Sequence, residues 1–224
     1  MKKLSLLVGG LALSTLALAQ KPSADVPFTL EGQLGWNAST LSFDAPSIRF
    51  RYFLQDNLAV RATVLVDNDS ETINHYELPN NAGGVGTEIN KSSDWALAVG
   101  AEYHFAGTDK LSPYAGLDIV FGGGNNRAEW DKYDGSSYAA DVTASVTSPT
   151  SMIGVNLVAG TDYYFAENFY VGLELGLGWM SQTTKEGVTT VTVAGTTTET
   201  KTPDSKESYM GNNVVGQFRL GWRF

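Results

Sequence analysis

The chain has 224 residues, a formal charge of −9 and no cysteine. That excludes disulfides, thiol chemistry and a lipoprotein anchor, and it argues against a phosphate-rich partner such as nucleic acid, which needs a basic face. The length allows a single domain, and glycine (24 residues) and aromatic side chains (11%) are plentiful.

Residues 1–19 read as a secretory signal peptide. Lys2 and Lys3 form its basic start, residues 4–16 its apolar run, and Ala17-Leu18-Ala19 its small-residue cleavage site. The run is too short for a transmembrane helix, and no other stretch offers ~18 consecutive apolar residues. An exported chain without a spanning helix can still cross a membrane as a closed β-barrel, because closure pairs every backbone group. The mature domain is then residues 20–224, opening on a short lead at 20–26.

Alternation at period two marks the strands that follow. The first, residues 28–37, sets Phe28, Leu30, Leu34 and Trp36 against Thr29, Glu31, Gln33 and Asn37. A short connection through Phe43-Asp44-Ala45-Pro46 leads to residues 47–54, with Ile48, Phe50, Tyr52 and Leu54 outward and Arg49 and Arg51 inward. After the tight turn Gln55-Asp56-Asn57, residues 58–67 place Val60, Ala62, Val64 and Val66 outward and Arg61 and Thr63 inward. Residues 93–105 alternate Trp95, Leu97, Val99, Ala101, Tyr103 and Phe105 with Asp94, Ala96, Ala98, Gly100, Glu102 and His104. Residues 113–121 put Leu117, Ile119 and Phe121 outward and Asp118 inward. Residues 152–165 set Ile153, Val155, Leu157, Tyr163 and Phe165 against Asn156, Gly160 and Asp162. Residues 169–181 set Val171, Leu173, Leu175, Leu177 and Trp179 against Gly172, Glu174, Gly176 and Gly178. The last strand, residues 213–224, alternates Val214, Gly216, Phe218, Leu220, Trp222 and Phe224 with Asn213, Gln217, Arg219 and Arg223.

Long polar connections at 68–92, 122–150 and 182–207 alternate with short turns. In the third, Thr189-Thr190-Val191-Thr192-Val193 and Thr196-Thr197-Thr198 flank Ala194-Gly195. This fits a hairpin standing above the membrane and equally fits low-complexity sequence. Membrane barrels have short turns at the periplasmic end and long loops outside, so both termini are expected in the periplasm. Trp36, Trp95 and Trp179 fall at the outer strand ends. Trp222 and the endings Tyr52-Phe53-Leu54, Tyr103-His104-Phe105 and Tyr163-Tyr164-Phe165 fall at the other, as two membrane interfaces would select. Residues 51–60 align directly with residues 162–171, an internal repeat of one hairpin.

These endings, and above all the terminal strand closing on Trp222 and Phe224, resemble the eight-stranded outer-membrane β-barrels of Gram-negative bacteria, of the OmpA, OmpX and OmpW kind. The resemblance covers nearly the whole mature chain. It implies an all-β, antiparallel up-and-down transmembrane barrel. It also implies that Trp222 and Phe224 are an assembly signal read by the barrel-assembly machinery, and that outer-membrane lipid, lipopolysaccharide and other envelope proteins are the partners. No peptidoglycan-binding domain is expected after the barrel.

The lysines all lie in the signal, lead, loops or turns, whereas five of six arginines occupy inward strand positions: Arg49, Arg51, Arg61, Arg219 and Arg223. The inward acids are Glu31, Asp67, Glu102, Asp118, Asp162 and Glu174. An eight-stranded barrel is only wide enough for its own side chains to fill, and the planar fork of Arg pairs well with carboxylates in confined sites. The near balance of signs favours an ion-paired lumen over a selective constriction. The inward small residues of the outer half, Gly35, Ala96, Ala98, Gly122, Gly154, Gly176 and Gly178, either leave a vestibule or relieve crowding in a narrow curved sheet.

No catalytic, metal or cofactor constellation is legible. His75 lies in a long loop, and His104 lies close to the periplasmic rim with no matching serine expected beside it. Gly122-Gly123-Gly124 lacks the strand-to-helix context of a phosphate loop. The expected role is structural or interactive, through the external loops; a small-solute porin or an apolar-ligand channel of the OmpW type is the alternative.

Overall fold

The computed structural model describes residues 25–37, 42–43, 47–77, 83–211 and 216–224. The signal segment, the connection at 44–46, the tip at 78–82, residues 212–215 and the side chains of residues 34–37 lie outside that description. Among the described residues every regular element is a strand: β1 (Phe28–Asn37), β2 (Ser42–Phe43), β3 (Ser47–Gln55), β4 (Leu58–Tyr76), β5 (Val85–His104), β6 (Leu111–Tyr133), β7 (Tyr138–Tyr164), β8 (Phe169–Thr184), β9 (Gly187–Val193), β10 (Thr196–Thr202), β11 (Ser205–Gly211) and β12 (Gly216–Arg223).

Eight of these form a closed antiparallel ring in the order β1-β3-β4-β5-β6-β7-β8-β12, in which β12 returns to pair with β1. Closure is complete at the short-turn end. There the backbone N–H of Phe224 donates to the carbonyl of Phe28 (2.9 Å), and Phe28 N–H donates to the carbonyl of Phe224 (3.2 Å). The rings of Phe28 and Phe224 stack at 5.9 Å, and Phe28 meets Tyr52 at 5.1 Å. A closed ring leaves no strand edge in the apolar zone, as a membrane requires.

The two faces are as unlike as the alternation predicts. Outward residues such as Ile48, Val64, Leu117, Leu157, Leu175 and Leu220 are 49% exposed or more, a continuous apolar belt that a water-facing protein would not show. The inward set is charged and buried: Glu31, Arg51 and Asp162 are fully enclosed. This inside-out distribution is the signature of a barrel in lipid.

The expected polar loops are a difference. Residues 68–92 are largely the outer halves of β4 and β5, paired from Asp67↔Asp94 up to Tyr76↔Val85. Residues 122–150 continue β6 and β7, which pair out to Tyr133↔Tyr138. Above the apolar zone neither face meets lipid or a core, so side-chain alternation fades while backbone pairing persists; the periodic signal is lost but the strand is not. The β6–β7 tip is closed by Asp134, whose carboxylate accepts the backbone N–H groups of Ser137 and Ser136 (2.8 Å each), and those bonds hold its pKa down at about 2.

The threonine-rich segment is the hairpin alternative. β9 and β10 pair from Val193↔Thr196 to Gly187↔Thr202, and the turn residues Ala194 and Gly195 take φ of 48° and 79°. Two positive φ angles define a two-residue turn whose twist matches the flanking strands. β9 docks on the outer half of β7, and β11 on the outer half of β8. The hairpin therefore stands outside the eight-stranded ring. Excision of residues 187–202 is expected to leave the heat-dependent gel mobility shift of the folded barrel intact. A variant that runs at the same position boiled or unboiled would place the hairpin in the barrel's own stability.

Candidate functional site

The inward-facing charges converge in the half of the lumen nearer the short turns. Each ring strand supplies at least one residue: Glu31 from β1, Arg49 and Arg51 from β3, Arg61 from β4, Glu102 from β5, Asp118 from β6, Asp162 from β7, Glu174 from β8 and Arg219 from β12. Arg51 meets Glu31 at 2.6 Å, Glu102 at 2.7 Å and Asp162 at 2.9 Å. Arg61 holds both oxygens of Asp118 (2.7 and 2.6 Å) and reaches Glu174 (2.7 Å) and Glu102 (3.0 Å). Arg49 grips Glu174 with two bonds of 2.9 Å. Arg219 meets Asp162 at 2.6 Å and Glu31 at 3.3 Å.

Two of these contacts span the lumen. In the ring, β4 and β8 stand four strands apart in either direction, as do β3 and β7. Arg61–Glu174 and Arg51–Asp162 therefore join opposite walls and cross the barrel axis. The second pair has a further property: Arg51 and Asp162 are equivalent positions of the internal repeat. The repeated hairpins face one another across the axis carrying opposite charges at the same place.

Glycines in register with the long side chains make the space. Gly100 is the Cα partner of both Arg61 and Asp118, Gly172 of both Asp162 and Arg219, and Gly160 of both Tyr114 and Glu174. A Cβ at Gly172 would lie 2.5 Å from the Arg219 guanidinium and 2.6 Å from the Asp162 carboxylate. Large inward residues thus alternate with glycine around the ring, which lets nine charged side chains share one cross-section.

Nine of the ten residues expected in the lumen network are brought together. Arg223 is buried with them but sits at the rim, where its Nε donates to the carbonyl of Glu167 (2.8 Å). Asp67, also read as an inward acid, lies near the outer mouth and is exposed. Sequence reasoning missed the tyrosines. Tyr170 donates to Glu31 (2.8 Å) and accepts from Arg51 (2.6 Å), and Tyr114 donates to Glu174 (2.5 Å). Both follow the inward parity of Gly172 and Asp118, the one signal in the sequence that points them into the lumen.

The surroundings of His104 are a correction. Its Nδ1 lies 2.8 Å from Ser112 Oγ and its Nε2 lies 3.0 Å from Glu102. The β5–β6 register pairs His104 with Tyr114 and makes Ser112 its diagonal neighbour, so the serine is distant in sequence and adjacent in the sheet. The chain carboxylate–imidazole–hydroxyl has the connectivity of a hydrolytic relay, yet Ser112 is 3% exposed and Glu102 is held by two arginines. Here the imidazole ties the charged cluster to the β6 strand.

Beyond the cluster, toward the long hairpins, lies a cavity of about 310 Å³. Both readings of the outer small residues find support: Ala96, Ala98 and Gly176 line this cavity, whereas a Cβ at Gly122 would collide with Met152 and one at Gly154 with Met180.

A closed eight-stranded ring with an apolar belt outside and charges within defines a transmembrane β-barrel of the bacterial outer-membrane type. The chain belongs to the family described as "Putative OmpA-OmpF-like porin family", whose sequence profile matches residues 33–185, more than half of its length. No curated protein matches it in sequence. Similar solved structures include the N-terminal β-barrel domain of Pseudomonas aeruginosa OprF (15% identity, TM-score 0.37, covering 89% of this chain and 98% of that one). Others are a major outer membrane protein from Thermus thermophilus (13%, 0.45, 88% and 98%) and Acinetobacter baumannii CarO (11%, 0.38, 90% and 99%).

Removal of one cluster member leaves its partners buried without compensation, which costs about 3–5 kcal/mol for a dry site. Arg61→Ala is expected to lower unfolding stability in detergent by that order, because Asp118 loses its two-bond partner. The double variant Arg61→Leu with Asp118→Leu should recover part of the loss. A cost below about 1 kcal/mol, typical of water-exposed pairs, would mean that the cluster is solvated.

Proposed function

We propose that the protein is an outer-membrane barrel whose lumen is plugged by ion pairs and which acts through its external hairpins, as a structural or interaction protein of the envelope rather than an enzyme. One observation carries this reading: the contacts Arg61–Glu174 (2.7 Å) and Arg51–Asp162 (2.9 Å) join opposite walls. The arrangement of β4–β7 and β9–β11 beyond the belt supports the assignment of partner contacts to the outer end, since binding surfaces commonly sit on projections from a rigid scaffold.

In this reading residues 1–19 are removed on export and residues 20–224 form the barrel, with both termini and the short turns in the periplasm. Trp222 and Phe224 are read by the assembly machinery, and lipid and lipopolysaccharide surround the belt. A small-solute porin or apolar-ligand channel is the second reading. It is favoured by the cavity above the cluster and by the porin character of the family.

Single-channel recording in planar bilayers separates the two. The wild type is expected to be closed, and Arg51→Ala with Asp162→Ala, which removes one cross-axis tie, is expected to open a small conductance. Steady wild-type conductance that this double variant leaves unchanged would put the porin reading first.

A further inference from the structure

The cavity above the charged cluster is a built pocket. Its floor is formed by Arg49, Asp118 and Glu174, all more than nine-tenths buried, and its wall includes Ala98, Met152 and Met180. Its volume of about 310 Å³ lies at the small end of the ~300–1,000 Å³ typical of ligand sites. A floor closed by cross-axis ion pairs makes it a blind pocket, open only toward the long hairpins; on that point the inference rests on the plugged-lumen reading.

The floor carries both signs of charge, and the mouth only one. The floor belongs to a cluster of four guanidiniums (Arg49, Arg51, Arg61, Arg219) and five carboxylates (Glu31, Glu102, Asp118, Asp162, Glu174), so it offers no surplus positive charge to an anion. At the mouth, Asp67 and Asp94 are direct Cα partners on β4 and β5, one alternation above the cavity-lining Leu65 and Ala96. Like charges directly opposed on one face of a sheet destabilise it. Asp69 and Glu71 continue the same face of β4, while the register puts Lys91 and Arg127 on the opposite face, where both pair with Glu129. A cleft of one sign with low-dielectric walls concentrates counter-ions. Below the acidic pair the walls mix Leu65, Val120 and Val158 with Gln33, Thr63 and Asn156, and the Met152 and Met180 thioethers adapt to aromatic or alkyl groups.

We infer that this vestibule binds a small organic cation, its ammonium group between Asp67 and Asp94 and its apolar body in the cavity below. Two residues of strand, roughly 7 Å, separate the acidic pair from the next inward positions below the cavity rim, a length that an arylalkylamine spans.

The test is calorimetric titration of the full-length protein, folded in zwitterionic micelles, with 2-phenylethylammonium and with 3-phenylpropionate, a probe of similar size and opposite charge. Saturable binding of the ammonium, at least ten-fold tighter than the carboxylate, is expected. Asp67→Asn with Asp94→Asn should weaken the ammonium at least five-fold and remove the preference. Ala98→Phe and, separately, Ala96→Phe fill the cavity and should abolish binding in barrels that retain the heat-dependent gel shift. Equal binding of the two probes, absence of saturable binding, or binding that survives in whichever filled variants fold would overturn the site. Passage of the ammonium through protein-loaded liposomes, with binding intact, would overturn the plugged lumen and leave the site standing.

Discussion

The structure depends on mutual compensation of charge in a space too narrow for water to supply it. Four arginines and five carboxylates share the cross-section of an eight-stranded barrel, a cylinder that side chains alone can fill. An isolated ion there would be expensive. The geometry answers this with forked, two-bond pairs, Arg61 on Asp118 and Arg49 on Glu174, and with contacts that cross the axis. Every ring strand contributes, so the cluster ties the whole ring together from within.

That constraint reaches outward into register and composition. A slip of one residue in any strand would turn its arginine or carboxylate into lipid and its leucines into the lumen. The cross-axis pairs and the lipid belt therefore specify the same register. The inward glycines follow from the same crowding. Gly100, Gly160 and Gly172 stand opposite the longest side chains because a Cβ there would collide with them. In the outer half Gly122 and Gly154 make the same room for Met152 and Met180, while Ala96, Ala98 and Gly176 border the open cavity.

Beyond the lipid the strands outlast the reason for their alternation. β4 to β7 run on as a paired sheet, with β9 and β10 added along β7 and β11 along β8. The molecule thus has a half whose lumen is filled with paired charges and an elaborated half beyond the belt, with a cavity between them. Chemical variety falls where the membrane imposes no rule.

The period-two pattern of residues 28–224 by itself determined the eight strands of the ring, the facing of nearly every membrane-level residue, and most of the charges that meet in the lumen, because lipid on one side and crowding on the other leave no freedom in the choice of face. It also marked the Ala194-Gly195 turn as a possible hairpin. It did not determine the extended outer strands, where no apolar face survives to reveal a strand. Nor did it determine which arginine meets which carboxylate, the place of Tyr114 and Tyr170 in the cluster, or the proximity of Ser112 to His104. Those are set by ring closure and register: Arg61 and Glu174 are 113 positions apart in the chain and 2.7 Å apart in space, and only the closing of β12 onto β1 brings opposite walls within reach of one guanidinium.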